Sequence, residues 1–306
     1  MNPPEVVVVG NVGIDTNVYL ASGGIDWSRE ANFTENLDGV GQAGGYAARG
    51  YARLGRRTAF IGHVGEDAAG RVVRETLQGE GIDLRGLAVD PAGTARSVNL
   101  MYPDSRRKNF YDGKGHAALK PDLELCRSVL TGARLAHVNL PDWARRLLPL
   151  AKELGLTLAC DLQDMVEPGD AYRSDFIQAA DILFFSSANH GDPSALMRAF
   201  LRDRPGRIVV AGTGARGCAL GTQEGITFFP PEPLDLPVVD TNGAGDSLAV
   251  GFLTSHVLEG RPLAESIRRG QLAARHCCTL RGTSEGLITA ERLEQLARAG
   301  PGPRNE

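Results

Sequence analysis

Pro237–Leu253 reads PVVDTNGAGDSLAVGFL: an extended segment, a turn holding Gly243 and Gly245, and an apolar run of helical length. Glycines carry no Cβ, so successive backbone N–H groups in such a turn can point into one concavity. The helix that follows adds the partial positive charge of its N-terminus, which makes the bend an anion trap. Asp246 stands at the start of that helix, where a carboxylate also faces the trapped anion. Capping alone would explain an isolated aspartate there. Asp240 and Thr241 just before it, and companion glycine clusters elsewhere, favour a chemical role.

Outward from this bend, short β-branched or apolar runs end in Gly, Asn or Asp and are followed by stretches of helical period. They are Val6 to Val9, Thr58 to Ile61, Leu135 to Leu140, Leu156 to Leu162, Ile182 to Phe185 and Ile208 to Val210. The spacing predicts a doubly wound α/β architecture, a mostly parallel sheet with helices on both faces. One crossover helix is expected over Trp143 to Leu154, with Leu147, Leu148, Leu150, Ala151 and Leu154 on its apolar face. Residues 13–38 and 91–115 break this rhythm and predict a small β lid inserted in a single 1–306 domain. There Val98, Leu100 and Tyr102 share one face, Asn99 and Met101 the other, and Asn109 to Asp112 return after PDSRRK.

The chain has 306 residues, 42% of them hydrophobic, enough to bury a large core. Lys and Arg total 33 against 37 Asp and Glu, a formal charge of -4, which offers no footprint for nucleic acid. No apolar run approaches the ~20 residues that cross a bilayer. MNPPEVVVVG has no secretory pattern, so a cytoplasmic protein is expected. Cys126, Cys160, Cys218, Cys277 and Cys278 form an odd set without metal-ligand spacing and read as reduced core thiols. The six histidines show no paired spacing and receive no catalytic role.

DTNGAGD at 240–246 resembles the second signature of the ribokinase-like, or PfkB, family of sugar and nucleoside kinases. GHVGEDAAG from 62 and GTGARGCAL at 212–220 resemble its GxVGxDxxG stretch and its nucleotide-side turn. The resemblance implies transfer of the γ-phosphoryl group of ATP, with Mg²⁺, to a primary hydroxyl of a sugar or sugar-like acceptor. Asp246 would orient and deprotonate that hydroxyl, and the amides of Asn242, Gly243, Ala244 and Gly245 would stabilise the moving phosphoryl.

By the same resemblance, Asn11 and Asp15 after the first strand, with Gly41, Gly44, Gly45 and Tyr46 of GQAGGYAARG, would hold the acceptor. A carboxylate can accept from two adjacent hydroxyls. Tyr46 stands where the family has Asn, and Gln42 where it has the second glycine of a pair; Tyr46 could stack on a ring or donate through its phenol. Gly212, Thr213, Gly214 and Gly217, with Ala274, Cys278 and Gly282, would surround the nucleotide. Asp161 and Asn189 would lie near Mg²⁺, although Ser186 and Asn189 replace the usual Asn and Glu of that stretch. Asp240, Thr241 and Ser284 would serve a monovalent cation, K⁺. A homodimer through the lid is expected.

Two other functions compete with the sugar kinase. A nucleoside kinase is motivated by Tyr46 as a base-stacking ring. A non-catalytic sugar-binding protein is motivated by the changes at Tyr46, Ser186 and Asn189, against an intact catalytic turn. A dinucleotide oxidoreductase is disfavoured because GNVGID lacks the third glycine of GxGxxG. The basic run Arg106, Arg107, Lys108 reads as a solvated turn that could, from a lid, reach an anion.

Overall fold

The computed structural model describes residues 2–21, 24–103, 106–165, 167–188, 190–282 and 284–299. The strands are β1 (Val6–Val9), β2 (Gly13–Leu20), β3 (Thr34–Gly41), β4 (Thr58–Val64), β5 (Asp83–Val89), β6 (Ala95–Met101) and β7 (Arg107–Asp112). They continue as β8 (Leu135–Val138), β9 (Thr157–Asp164), β10 (Ile182–Ser186), β11 (Ile208–Gly212), β12 (Cys218–Thr222) and β13 (Gly225–Phe229). The helices are α1 (Gln42–Arg53), α2 (Ala68–Gly79), α3 (Leu123–Leu130), α4 (Leu148–Glu153), α5 (Ser174–Ala179), α6 (Ser194–Asp203), α7 (Ala244–Leu253), α8 (Leu263–Cys277) and α9 (Ala290–Arg298).

Nine strands form one sheet in the order β13-β12-β11-β10-β9-β8-β1-β4-β5, in which β12 alone runs antiparallel to the others. All four valines of β1 are buried, Val6 and Val8 in one core and Val7 and Val9 in the other. Helices cover both faces, which is why this strand is uniformly apolar rather than alternating. The chain leaves β1 towards β4 and β5, then returns to β8 and builds the other half. The crevice between the carboxyl ends of β1 and β8 is therefore a topological switch point, where ligands settle in open α/β sheets.

The lid is a second, four-stranded sheet, β3-β2-β6-β7, with β2 and β6 parallel. Its alternation follows the sequence: Ser97, Asn99 and Met101 are buried, whereas Val98 is 39% exposed. The polar face is the inner one. The crossover expected over 143–154 is split. Asp142–Leu147 winds as a 3₁₀ turn and α4 begins only at Leu148, with Pro149 in its first turn. Proline has no N–H to donate and is tolerated there, so it marks a helix start rather than a helix middle.

Candidate active site

The bend at 240–246 is built as its glycines demand. Gly243 takes φ +73°, a left-handed conformation, and a Cβ there would lie 2.7 Å from the Tyr46 ring. The N–H of Asn242 donates to Asp240 Oδ1 at 2.7 Å, folding the strand end into the turn. Helix α7 then runs from Ala244, with every residue from Ser247 to Leu253 buried. Its N-terminus is thus anchored from behind while Gly245 stays exposed in front.

Asp246 sits in the first turn of α7, partly accessible at the cleft. Its carboxyl is pushed well above the usual carboxylate range by loss of water and by the like charge of Asp161, partly offset by Arg107. Asp161, in β9, is buried and also shifted upward by burial; the N–H of Gln163 donates to its Oδ1 at 2.8 Å. The two carboxylates share one electrostatic environment.

Asp15 lies on β2, 4% exposed, and accepts from the N–H of Gln42 at 3.1 Å through Oδ2. Its Oδ1 has no partner among the described residues, and burial raises its pKa. A Cβ on Gly41 would approach Asp15 Oδ2 to 2.3 Å, so that glycine lets the chain pass the carboxylate. Gln42, in the place of a family glycine, nonetheless has φ +63°, an uncommon state for a side-chain-bearing residue. Asn11 donates to the Tyr111 hydroxyl, tying the end of β1 to the lid, and the Cβ atoms of Gly44 and Gly45 would meet Asn11 O and Val12.

Tyr46 is 3% exposed and turned towards the bend rather than offered as an open surface. Its ring packs beside Gly243, with Cys277 and Leu287 in the same apolar cluster, and its hydroxyl accepts from Asn242 Nδ2 at 3.0 Å. The lid adds further groups that the sequence reading did not place. Register puts Asp15, Ser97 and Tyr111 in one row, Asn17, Asn99 and Asn109 in the next, and Tyr19, Met101 and Arg107 in a third. Asn109 donates to Asn99 at 2.8 Å and Asn99 to Asn17 at 2.9 Å, a ladder of amides facing inward. Polar residues at alternate positions were the available signal. At the end of β8, Asn139 is 2% exposed with both amide atoms unpartnered among the described residues.

Of the residues expected around the nucleotide, Gly212, Thr213, Gly214 and Gly217 form a tight connection from β11 to β12. The N–H of Thr213 donates to Gly217 O, and Gly214 and Gly217 have φ +64° and +95°. Cys278 contributes its carbonyl, which accepts from the N–H groups of Val239 and Asp240 and so braces the bend. Ala274, one turn earlier, is half-buried. The N–H of Gly282 donates to the Tyr19 hydroxyl at 2.8 Å, and that hydroxyl donates to Asp240 Oδ2 at 2.7 Å. Thr241 is half-buried in the bend, and Ser284 is buried near Gly282 O. Asn189 lies outside the described residues.

The profile of the pfkB family carbohydrate kinases matches residues 4–290. The chain belongs to this family. It is 32% identical over 290 residues to acarbose 7(IV)-phosphotransferase of Actinoplanes sp. (strain ATCC 31044 / CBS 674.73 / SE50/110), covering 93% of this chain and 95% of the relative. It is 27% identical to an ATP-dependent ribose-1-phosphate kinase of Halopiger xanaduensis, over 96% and 97% of the two chains. Among solved structures, the microbiome-derived acarbose kinase Mak1 superposes with a TM-score of 0.85 at 30% identity, covering 97% of this chain and all of that one (100%). Ribokinase of Arabidopsis thaliana shares the fold with a TM-score of 0.80 at 23% identity, over 97% and 99% of the chains. The large sheet with its separate lid is thus the ribokinase-like fold, and the pfkB kinase is a phosphotransferase with an alcohol acceptor.

Proposed function

We propose that this kinase moves the γ-phosphoryl group of ATP to a primary hydroxyl of a sugar-like acceptor held between the lid and the carboxyl ends of β1 and β8. What supports the reading is Asp246 in the first turn of α7, directly after the amides of Asn242 to Gly245, with the charge of the buried Asp15 close enough to act on it. Asp15, with an unpartnered oxygen, and the amide ladder suit vicinal hydroxyls. The turn amides suit the peripheral phosphoryl oxygens, where charge collects in a loose transition state. As the new P–O bond forms and the bridging P–O bond to ADP breaks, the hydroxyl proton passes to Asp246. A carboxylate held above its ordinary pKa is a stronger base for that task. The lid excludes water, the competing nucleophile.

Acarbose heads the acceptor candidates, because two relatives, at 32% and 30% identity, carry that name. Tyr46, buried against the bend, presents no open ring for a nucleobase, which supports a sugar over a nucleoside. Mg²⁺ would be held beside Asp161 and Asp246, whose mutual repulsion a hard cation would relieve while screening the phosphates. K⁺ is less well served. Both Asp240 oxygens already accept protein hydrogen bonds, from Asn242 and Tyr19, and no step is assigned to that ion.

No helix among the described residues is long and apolar enough to cross a membrane, and the five cysteines are buried and unpaired, which supports a cytoplasmic site of action. The lid's outer face carries Val98 and Phe110, paired across β6 and β7 at 39% and 55% exposure, and supports a lid-to-lid homodimer. Solution mass at micromolar concentration tests the dimer, and a strict monomer refutes it. The activity is tested by coupled ATP consumption over acarbose, pentoses, hexoses, sugar acids and nucleosides. Acceptor-dependent turnover that vanishes in Asp246→Asn is expected; turnover that survives the substitution overturns the assignment.

A further inference from the structure

Arg107 opens β7, an exposed edge strand of the lid, where a basic side chain would ordinarily extend into water. Instead its Nη1 donates to Asn242 Oδ1 at 2.6 Å, on the residue just before Gly243. Asn242 is gripped from its other end too, its Nδ2 lying 3.0 Å from the Tyr46 hydroxyl and 3.5 Å from Asn17 Oδ1. Among the described residues Arg107 forms no ion pair, although it lies close enough to Asp246 and Asp15 to lower the pKa of both. A guanidinium has five N–H donors, and a neutral amide oxygen uses only part of that fork.

Position along the strand decides which end of the reactants this charge serves. Arg107 shares a row with Tyr19, whose hydroxyl bonds to Asp240 of the bend, whereas Tyr111 shares a row with Asp15 of the acceptor pocket. Four residues of strand, about 13 Å at ~3.3 Å each, separate Arg107 from Tyr111. An arginine for an anionic tail on the acceptor belongs at the far row. Arg107 is at the phosphoryl row.

We propose that Arg107 is a catalytic residue of the phosphoryl transfer, a lid-borne guanidinium that contacts the peripheral oxygens of the moving group opposite the amides of the 242–245 turn. The inference rests on the kinase reading above and adds to it a charge that reaches the reaction only when the lid is down. Arg107 neither gains nor loses a proton. The acceptor oxygen bonds to phosphorus, the bond to ADP breaks, and the hydroxyl proton goes to Asp246, while the guanidinium stabilises charge spread over the equatorial oxygens. Asn242 parks it between turnovers.

The test compares wild type with Arg107→Ala, Arg107→Lys and the outward-facing control Lys108→Ala. Turnover is read with ATP and the best acceptor of the panel, and binding of ADP with and without aluminium fluoride by calorimetry. Arginines placed this way contribute about 10³–10⁵ in kcat in other phosphoryl-transfer enzymes. Here Arg107→Ala is expected to lower kcat at least about 10²-fold with the acceptor KM within about threefold, and Lys108→Ala to leave both unchanged. Arg107→Lys should fall between. ADP alone should bind as to wild type, while the gain in affinity on adding aluminium fluoride is lost. Guanidinium ion at millimolar concentration should restore part of kcat in Arg107→Ala and none in Asp246→Asn. Unchanged kcat, or a raised acceptor KM with kcat kept, overturns the proposal and leaves the kinase reading standing. A wild-type chain that phosphorylates no acceptor overturns that reading and the proposal together.

Discussion

Tyr46→Phe and Tyr46→Asn separate two roles for one ring. In the structure the ring fills space beside Gly243, Cys277 and Leu287, and the hydroxyl holds Asn242 at 3.0 Å. Phe keeps the packing and removes the hydrogen bond from Asn242, worth about 1 kcal/mol, so kcat should fall by up to about fivefold. Asn leaves a void where an aromatic ring was, a change that costs about 3–5 kcal/mol in protein cores. At roughly 2 °C per kcal/mol for a chain of this size, the melting temperature should drop by about 6–10 °C. Because the ring packs against the bend, relative rates across the acceptor panel should stay constant in both variants. Thermal melts and the coupled assay read these quantities. Tyr46→Asn melting within about 2 °C of wild type while the acceptor ranking changes would return Tyr46 to the acceptor pocket.

Asp246→Asn should stabilise the ligand-free protein. An aspartate whose folded pKa is raised holds its proton in the folded state after the unfolded chain has released it, so its contribution to stability declines as pH rises above about 4 and is least once the folded group has ionised. The melting-temperature gain of Asp246→Asn over wild type should therefore grow between pH 6 and 8.5, and a gain that is flat or shrinks contradicts the buried, like-charged setting. Asp161→Asn removes the neighbouring charge, so the acidic limb of the wild-type kcat/KM profile should move to lower pH in that variant; an unmoved limb separates the two carboxylates. Asp15→Ala should raise the acceptor KM by tenfold or more with ATP binding unchanged, since it removes a buried two-oxygen acceptor; an untouched KM excludes it from the pocket.

The parallel sheet was legible because a strand buried on both faces must read as an apolar run, as VVVV at 6–9 does, and the 240–246 turn because its geometry requires glycine at 243. The lid was legible as a segment with period two, but not its inner face: Asn17, Asn99 and Asn109 look like surface residues until the register sets them side by side. Tyr19 and Asp240 are 221 positions apart, and nothing local marks them as partners. The break at Pro149 was local and available, since a proline fits a helix start better than its interior. For Tyr46, spacing placed the residue beside the site, whereas the direction of its ring depends on Gly243 leaving room for it.

The most direct measurement of the central claim is a crystal structure with a non-hydrolysable ATP analogue and the best acceptor. The terminal phosphate is expected on the amides of Asn242 to Gly245, with an acceptor hydroxyl within hydrogen-bond reach of Asp246. A triphosphate bound elsewhere, with the 240–246 bend facing away from it, would rule out phosphoryl transfer at this bend.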